Sequence, residues 1–444
     1  MTSIAVHWRE TRNLPAFADN PKLRLVLGTL LYLAQGFPQG IFFAAIPTWL
    51  AANGQSTAVV ASATAAAAFP WSLKFLAGLF MDRYTWLPMG RRRPWLIGSQ
   101  TAIVATLLIA ASISPAASDT AIVIGIVLSL SILTAIQDVA LDALVVDLTP
   151  GNEMGRMNGF MFGGKVFGIA GGMAITSYLL EYYGFSIAML GMIAFFVIPG
   201  ICVVFIRERD GEKLLPWSNG IASRDAKALV HGNWVAILLA AFRNLLRRQT
   251  LLVGLLLLTY GIHQNLNDTT DSLFVIKQLG WSQSEYSSLA AIFNILVGIF
   301  CLTLGGWIVD KFGPGRIAFW SGATSMIIMF AYLVDEALWQ SNALFVAWYG
   351  LKTIPLFLFY LSNLVLAMRV AAPETAATSL SVLFSIGTLG FVIASALLPA
   401  LETLGGYQAM YGASAALAFV AGLISLVLSN ELRLPTQPTA LANN

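Results

Sequence analysis

Long apolar runs alternate with short polar breaks along most of the chain. The runs fall at about 24–50, 56–81, 94–114, 119–147, 156–181 and 184–206, and again at about 250–277, 284–309, 315–334, 338–368, 376–401 and 407–429. Each reaches the ~20 residues that a helix needs to cross a bilayer. None is a ~10-residue alternating segment of the kind that builds a membrane barrel. The pattern predicts an all-α polytopic membrane protein with twelve transmembrane helices in two six-helix halves. The expected divisions are an N-terminal tail (1–23), the first half (24–206), a polar linker (207–249), the second half (250–429) and a C-terminal tail (430–444). Within the linker, the apolar run in Asn233–Arg248 is too short to span. It fits a helix lying along the membrane with Arg243, Arg247 and Arg248 at headgroup level, or an extension of the seventh span.

Composition agrees: 57% of residues are hydrophobic and 11% charged, against about 25% charged in soluble domains. The placement of positive charge adds orientation. If every run crosses, 21 of the 25 Lys/Arg fall on one side, and the other side keeps only Lys277. Lys/Arg-rich short loops face the cytosol, so both termini and the linker are expected there. The polar start and the length of the first run argue against a cleaved signal peptide. Cys202 and Cys301 lie in apolar runs, with neither a disulfide framework nor metal-ligand spacing.

One block occurs twice. Gly78, Asp82 and Arg83 end the second run, and Arg91, Arg92 and Arg93 follow; Gly306, Asp310 and Lys311 end the eighth, followed by Gly313 and Arg316. The offset is 228 residues in each case, which signals an internal duplication. Small glycines let helices approach closely. Asp82 and Asp310 can accept bonds from a neighbouring helix N-terminus or an arginine, bracing one face of the protein as a gate.

Ionisable groups inside the runs form a second signal, because a charge at mid-bilayer costs ~3 kcal/mol on insertion scales and usually has a partner or a task. Lys74, Asp138, Asp142 and Lys165 share one depth band, and Asp138 and Asp142 sit i, i+4 on one helix face. They can form a neutral buried cluster, with a purely structural ion-pair network as the alternative. Asp138 is the expected proton carrier, with Lys74 or Lys165 as its partner and Asp142 as competitor. Asp147, nearer the loop, is expected to pair with the loop arginines. In the seventh run His263, Asn267 and Asp271 are spaced i, i+4, i+8 with Asp268 alongside, and Lys352 lies in the tenth. Trp71 precedes Lys74 by one turn and can stack on a solute or serve in packing. Gly36-Phe37-Pro38 predicts a kink in the first helix, and the glycines of 159–172 predict one smooth face on the fifth. No metalloprotease, nucleophile-elbow or phosphate-loop signature is present, which points away from an enzyme and from ATP as the drive.

The duplicated block resembles the Gly-x-x-x-Asp-[Arg/Lys]-x-Gly-[Arg/Lys]-[Arg/Lys] motif of the major facilitator superfamily. The first copy is split: Gly78 to Arg83, an insert from Tyr84 to Met89, then Gly90 to Arg93. That split, with Leu31–Leu50, Pro70–Trp95 and Gln137–Asp147, is similar to the branch of AmpG muropeptide permeases and acetyl-coenzyme A transporters. The resemblance implies a secondary active transporter, a proton-coupled symporter working by alternating access. Its cargo would be a bulky polar solute such as a muropeptide or aminosugar-peptide, with a siderophore or acyl-coenzyme A solute as the alternative and a non-transporting sensor as a further one. A central cavity between helices 1, 4, 7 and 10 would then be faced by Gln35, Gln39, Asp138, His263 and Lys352. A proton or ion gradient replaces any cofactor. The expected partners are a small-molecule solute and membrane lipid, without nucleic acid, and the expected state is a monomer.

Overall fold

The computed structural model describes residues 16–229, 234–281, 283–333 and 339–431. The N-terminal tail up to residue 15 and the C-terminal tail from residue 432 lie outside them. Among the described residues twelve crossing helices follow one another. In the first half they are α1 (Pro21–Ala52), α2 (Thr57–Ser72 continued by Lys74–Arg83), α3 (Arg93–Ile113), α4 (Thr120–Leu148), α5 (154–183) and α6 (185–205). In the second they are α7 (Arg248–Lys277), α8 (Gln283–Phe300 continued to Phe312), α9 (Pro314–Leu333), α10 (Asn342–Val370), α11 (376–404) and α12 (407–431). The chain is thus a multi-pass membrane protein with two six-helix halves.

Two continuous helical stretches each hold a pair of crossings. Met154–Phe205 has 52 residues, which at ~1.5 Å per residue would be far longer than a ~30 Å hydrocarbon core. It breaks at Gly184, whose φ of 81° an L side chain resists. Ala376–Glu431 breaks in the same way at Gly405-Gly406. Start signals are local: the Asn20 side chain accepts from Leu23 N at 3.1 Å ahead of Pro21, and Ser341 Oγ accepts from Leu344 N at 3.3 Å.

The helices that flank the duplicated block are irregular at matching places. α2 is interrupted at Leu73, and α8 passes through a π-turn at Cys301–Gly305. Leu73 and Cys301 differ by the same 228 residues as the two aspartates. α1 carries Pro38 inside the helix and a π-turn at Ile41–Ala45 that ends just before Pro47, whose missing N–H cannot serve the Phe43 carbonyl.

Glycines set the closest approaches. Gly164, Gly168 and Gly172 lie against the Thr29, Leu33 and Phe37 carbonyls of α1, where an added Cβ would collide with backbone. Gly155, Gly159 and Gly163 lie instead against α8. The single smooth face expected for α5 is therefore two faces, one packing within its half and one across to the other half. The second half repeats the first arrangement, with Gly261 of α7 against Gly387 and Gly390 of α11.

The start of the linker is folded onto the first half. Phe17 N donates to Arg207 O at 2.8 Å and Ala18 N to Glu208 O at 3.0 Å. The Glu208 carboxylate accepts the backbone N–H groups of Arg91 (2.9 Å), Arg92 (2.6 Å) and Arg93 at the start of α3, where a helix dipole favours negative charge. Gly90, with φ 103°, leaves room for that carboxylate. Farther on, the linker helix Trp234–Leu245 meets α7 at 74°, so it is a separate element and no extension of α7. It buries Ile237, Ala241 and Asn244, and exposes Val235, Leu238, Leu239 and Phe242. Such an amphipathic helix suits the membrane surface.

Candidate transport site

At the face that carries the linker, the two halves are joined by two equivalent clasps. Asp82, at the end of α2, accepts from Thr378 N at 2.8 Å and Thr378 Oγ1 at 2.7 Å, at the start of α11. Asp310, at the end of α8, accepts from Gly155 N at 2.6 Å and from Arg156 N at 2.8 Å, at the start of α5. Each carboxylate thereby takes the orphan donors of a helix N-terminus in the opposite half. Gly78 and Gly306, one turn before each aspartate, touch the backbone of Ala377 and of Gly155-Arg156, so a side chain at either would push the halves apart.

Arginines lock the first clasp. Arg92 Nη2 lies 2.7 Å from Asp82 Oδ1, and Arg91 Nη1 and Arg92 Nε each lie 3.1 Å from Asp147 Oδ2. Arg91 also reaches across to Pro373 O and Glu374 O, both at 2.9 Å. Arg369 donates in the reverse sense to Gly151 O at 2.9 Å. Three expected gate residues lie apart from these bonds. The Arg83 guanidinium sits over the Tyr84 ring, Lys311 lies over Trp307 and Phe312, and Arg316 is exposed at the start of α9.

Above the clasps lies a cavity of about 760 Å³ between the halves. Its floor is a cross-half layer: Phe162 meets Phe357 and Tyr360 at ring-centroid distances of 4.5 and 5.4 Å, and Asn158 Nδ2 donates to Met368 Sδ at 3.2 Å. Its lining continues to Tyr286, one turn into α8 from the end opposite the linker. Packing of α2 on α11 runs through the linker-side piece of α2, Lys74–Arg83.

Each half contributes one buried ion pair to the wall. In the first half Lys74 Nζ lies 3.1 Å from Asp138 Oδ2, while Gln35 Nε2 donates to Asp138 Oδ1 and the Tyr32 hydroxyl donates to Asp142. Lys165 stands over the Trp71 ring at 5.5 Å. In the second half Lys352 Nζ lies 2.5 and 2.7 Å from the two Asp271 oxygens and 2.9 Å from Asn267 Oδ1. Tyr411 donates to Asp271 at 2.9 Å, and Lys352 rests on the Trp348 ring at 3.8 Å. Every oxygen of the Asp271 carboxylate is thus engaged, which a buried pair requires. Asp268 is exposed in the cavity and, among the described residues, accepts only from its neighbour Asn267, at 3.0 Å.

The structure brings Lys74, Asp138, Asp142, Lys165, Trp71, Asn267, Asp268, Asp271 and Lys352 to one cavity. Three expected cavity residues are placed elsewhere. Gln35 is fully buried behind Asp138, and Gln39 turns back to the Gln35 carbonyl at 3.4 Å. His263 faces α12, with Nδ1 2.9 Å from Ser414 O. The reason is rotational: α7 buries its His263 side against α12 while Gln264, one position on, takes the cavity side. Tyr32, Asn158, Tyr411 and Thr378 were not anticipated. Tyr32 had a signal, since it precedes Gln35 by one helical turn; the others are set by tertiary contact alone.

A chain of twelve crossings in two halves, clasped at one face around a charged central cavity, is a transporter fold. The chain belongs to the Major Facilitator Superfamily, whose family model matches residues 28–269. An uncharacterized protein of Haemophilus influenzae is 23% identical over 377 residues, covering 80% of this chain and 82% of that protein. Among solved structures, the human organic anion transporter MFSD10 is similar with a TM-score of 0.67 at 14% identity, covering 92% of this chain and 100% of that one. A bacterial homologue of the iron transporter ferroportin in an outward-facing state gives 0.63 at 16% identity, covering 92% and 98%. These likenesses show the fold, and the family points to a transporter rather than an enzyme.

Proposed function

We propose that this protein is a proton-coupled secondary transporter that takes up a bulky polar solute by alternating access across a bacterial inner membrane. The linker face and both termini lie in the cytosol on this reading, following the arginine-rich loops. The observation that carries it is the pair of Asp82 and Asp310 clasps, which seal the linker face beneath a cavity whose lining reaches the opposite end. That arrangement is an outward-open state. Motion to the inward-open state requires both clasps to release together.

The split first block, with Leu31–Leu50, Pro70–Trp95 and Gln137–Asp147, favours a muropeptide or aminosugar-peptide as cargo. Coupling is assigned to the adjacent carboxylates of α4. Asp138 is held by Lys74, whereas Asp142 has only the Tyr32 hydroxyl and no cation within ion-pair distance among the described residues. Asp142 therefore takes the proton, and the Asp138–Lys74 pair reports its charge to α2.

The test uses purified protein in proteoliposomes with a radiolabelled anhydromuropeptide and an inward proton gradient. Gradient-driven accumulation should occur, should vanish in Asp142→Asn, and should leave gradient-independent exchange intact. Accumulation of a ferric siderophore or an acyl-coenzyme A instead would move the cargo assignment. Accumulation that persists in Asp142→Asn but not in Asp138→Asn would return the proton to Asp138.

A further inference from the structure

Two charges in the cavity make no ion pair within 4.0 Å among the described residues, although Lys165 lies in the field of Asp138 and Asp142, and Asp268 in that of Lys352. Lys165, on α5, is half-buried in the wall, and no carboxylate lies within 4.0 Å of its Nζ among the described residues; its near neighbour is the Trp71 ring. Asp268, on α7, is exposed to the cavity and, among the described residues, accepts a hydrogen bond from adjacent Asn267 alone. The other cavity charges contrast with them. Lys74 is committed to Asp138 and Lys352 to Asp271. The one remaining carboxylate, Asp142, takes the Tyr32 hydroxyl.

The free charges are of opposite sign and sit on opposite halves. They also differ in height. Lys165 stands eleven residues into α5 from Met154, and Asp268 stands twenty into α7 from Arg248. Both helices start at the linker face, so the difference is ~13 Å at ~1.5 Å per residue. Trp71, Tyr260 and Tyr360 line the same cavity.

An unpaired charge in a cavity walled by membrane helices is costly unless a ligand or water meets it. Resting on the transporter reading above, we infer that Lys165 and Asp268 select a solute carrying an anionic and a cationic group about 10 Å apart, allowing for side-chain reach over the ~13 Å rise. The anionic end docks deep, at Lys165, and the cationic end docks outward, at Asp268. A short charged molecule satisfies one end only. A solute that reaches both is a bridge between the halves on the open side, and its binding draws α5 and α7 together toward occlusion. Selection then comes from unmet charge as much as from attraction, because a solute lacking either group leaves a cavity charge without an ion-pair partner.

The test is a thermal-shift series on the intact detergent-purified protein with millimolar peptides. Tetraalanine carries both ends at the required span. N-acetyl-tetraalanine keeps only the anion, tetraalanine amide keeps only the cation, and dialanine keeps both ends but is too short. A tetraalanine phosphonate analogue distinguishes a carboxylate from a phosphate-type anion. Tetraalanine, or its phosphonate, should bind about tenfold more tightly than the other three. In Lys165→Gln the amide should bind as well as the parent, and in Asp268→Asn the acetylated peptide should. Equal shifts from the parent and the single-charge peptides on the unmodified protein would overturn the assignment, whatever the variants do. Absence of any shift would overturn it too. Neither result touches alternating access, which spin-label distances between the halves read without any solute.

Discussion

Asp82 and Asp310 occupy equivalent positions in the two halves, and each binds the start of a helix in the other half. Asp82 holds the Thr378 backbone of α11 at 2.8 Å, and Asp310 holds Gly155 of α5 at 2.6 Å. The equivalence extends to the glycines one turn earlier and to the irregular turns at Leu73 and Cys301. A duplicated sequence block has become a two-fold related pair of clasps. They differ in setting: Asp82 is fully buried with arginine partners, whereas the Arg156 side chain bound to Asp310 is 45% exposed.

That difference ranks the two aspartates. Asp82→Asn should weaken the closed linker face more than Asp310→Asn, because it also leaves buried Arg92 short of a carboxylate. A helix-end carboxylate contributes about 0.3–2 kcal/mol, so each variant should shift the conformational ratio severalfold while folded protein remains in the membrane. Thiol labelling of Asn158→Cys at the cavity floor, applied from the linker side, reads the shift. Unchanged labelling in both variants would reduce the block to a topology signal.

Gly306 tests sterics apart from charge. In Gly306→Leu the side chain meets the Gly155-Arg156 backbone, so the closed linker face cannot form while Asp310 is untouched. Uptake should fall at least tenfold, and the same cavity-floor thiol should label faster. Normal uptake would show that the close approach is dispensable.

The Lys352–Asp271 pair is an organiser of the second half, buried with Tyr411 and Asn267 around it. Lys352→Met should destabilise by about 3–5 kcal/mol, since it strands a carboxylate. Adding Asp271→Asn should recover most of that loss. Thermal unfolding of the single and double variants decides; equal losses in both would assign the effect to packing on Trp348.

The linker should carry a pH dependence of its own. Glu212 is pushed up to about 7, first by burial and then by the Glu208 carboxylate. A carboxyl raised in the folded state holds a proton that the unfolded chain has lost. Stability therefore falls as pH rises from the ordinary 4.5 to about 7, and levels off above. Glu212→Gln should match the unmodified protein near pH 5 and exceed it at pH 8 in thermal unfolding. A constant difference across that range would contradict the assignment.

Much of this was legible in the sequence, and the limits have physical causes. Span positions follow from apolar length alone, and the breaks near Gly184 and Gly406 fall where the polar pattern put them. Lys74, Asp138 and Lys165 were grouped by depth, which a helix's fixed rise makes readable. Rotation about a helix axis is harder to read. Gln39 lies just before the π-turn of α1, and His263 differs from cavity-lining Gln264 by one step of ~100°, so one side of α7 packs on α12 while the next residue meets the cavity. Partners remote in the chain left no local trace: Thr378 beneath Asp82, Tyr411 beside Asp271, and Glu208, which reads as one more linker charge until it caps α3.

The central claim is that the two halves rock about the cavity between a state clasped at the linker face and one open there. Double electron–electron resonance between spin labels at Asn53 and Gly280, on the opposite face and in different halves, tests it most directly. In nanodiscs the unmodified protein should give a long-distance population matching the clasped structure. Asp82→Asn with Asp310→Asn should move population to a clearly shorter distance, as the opposite face closes while the linker face opens. A single distance, unchanged when both clasps are removed, would contradict alternating access about this gate.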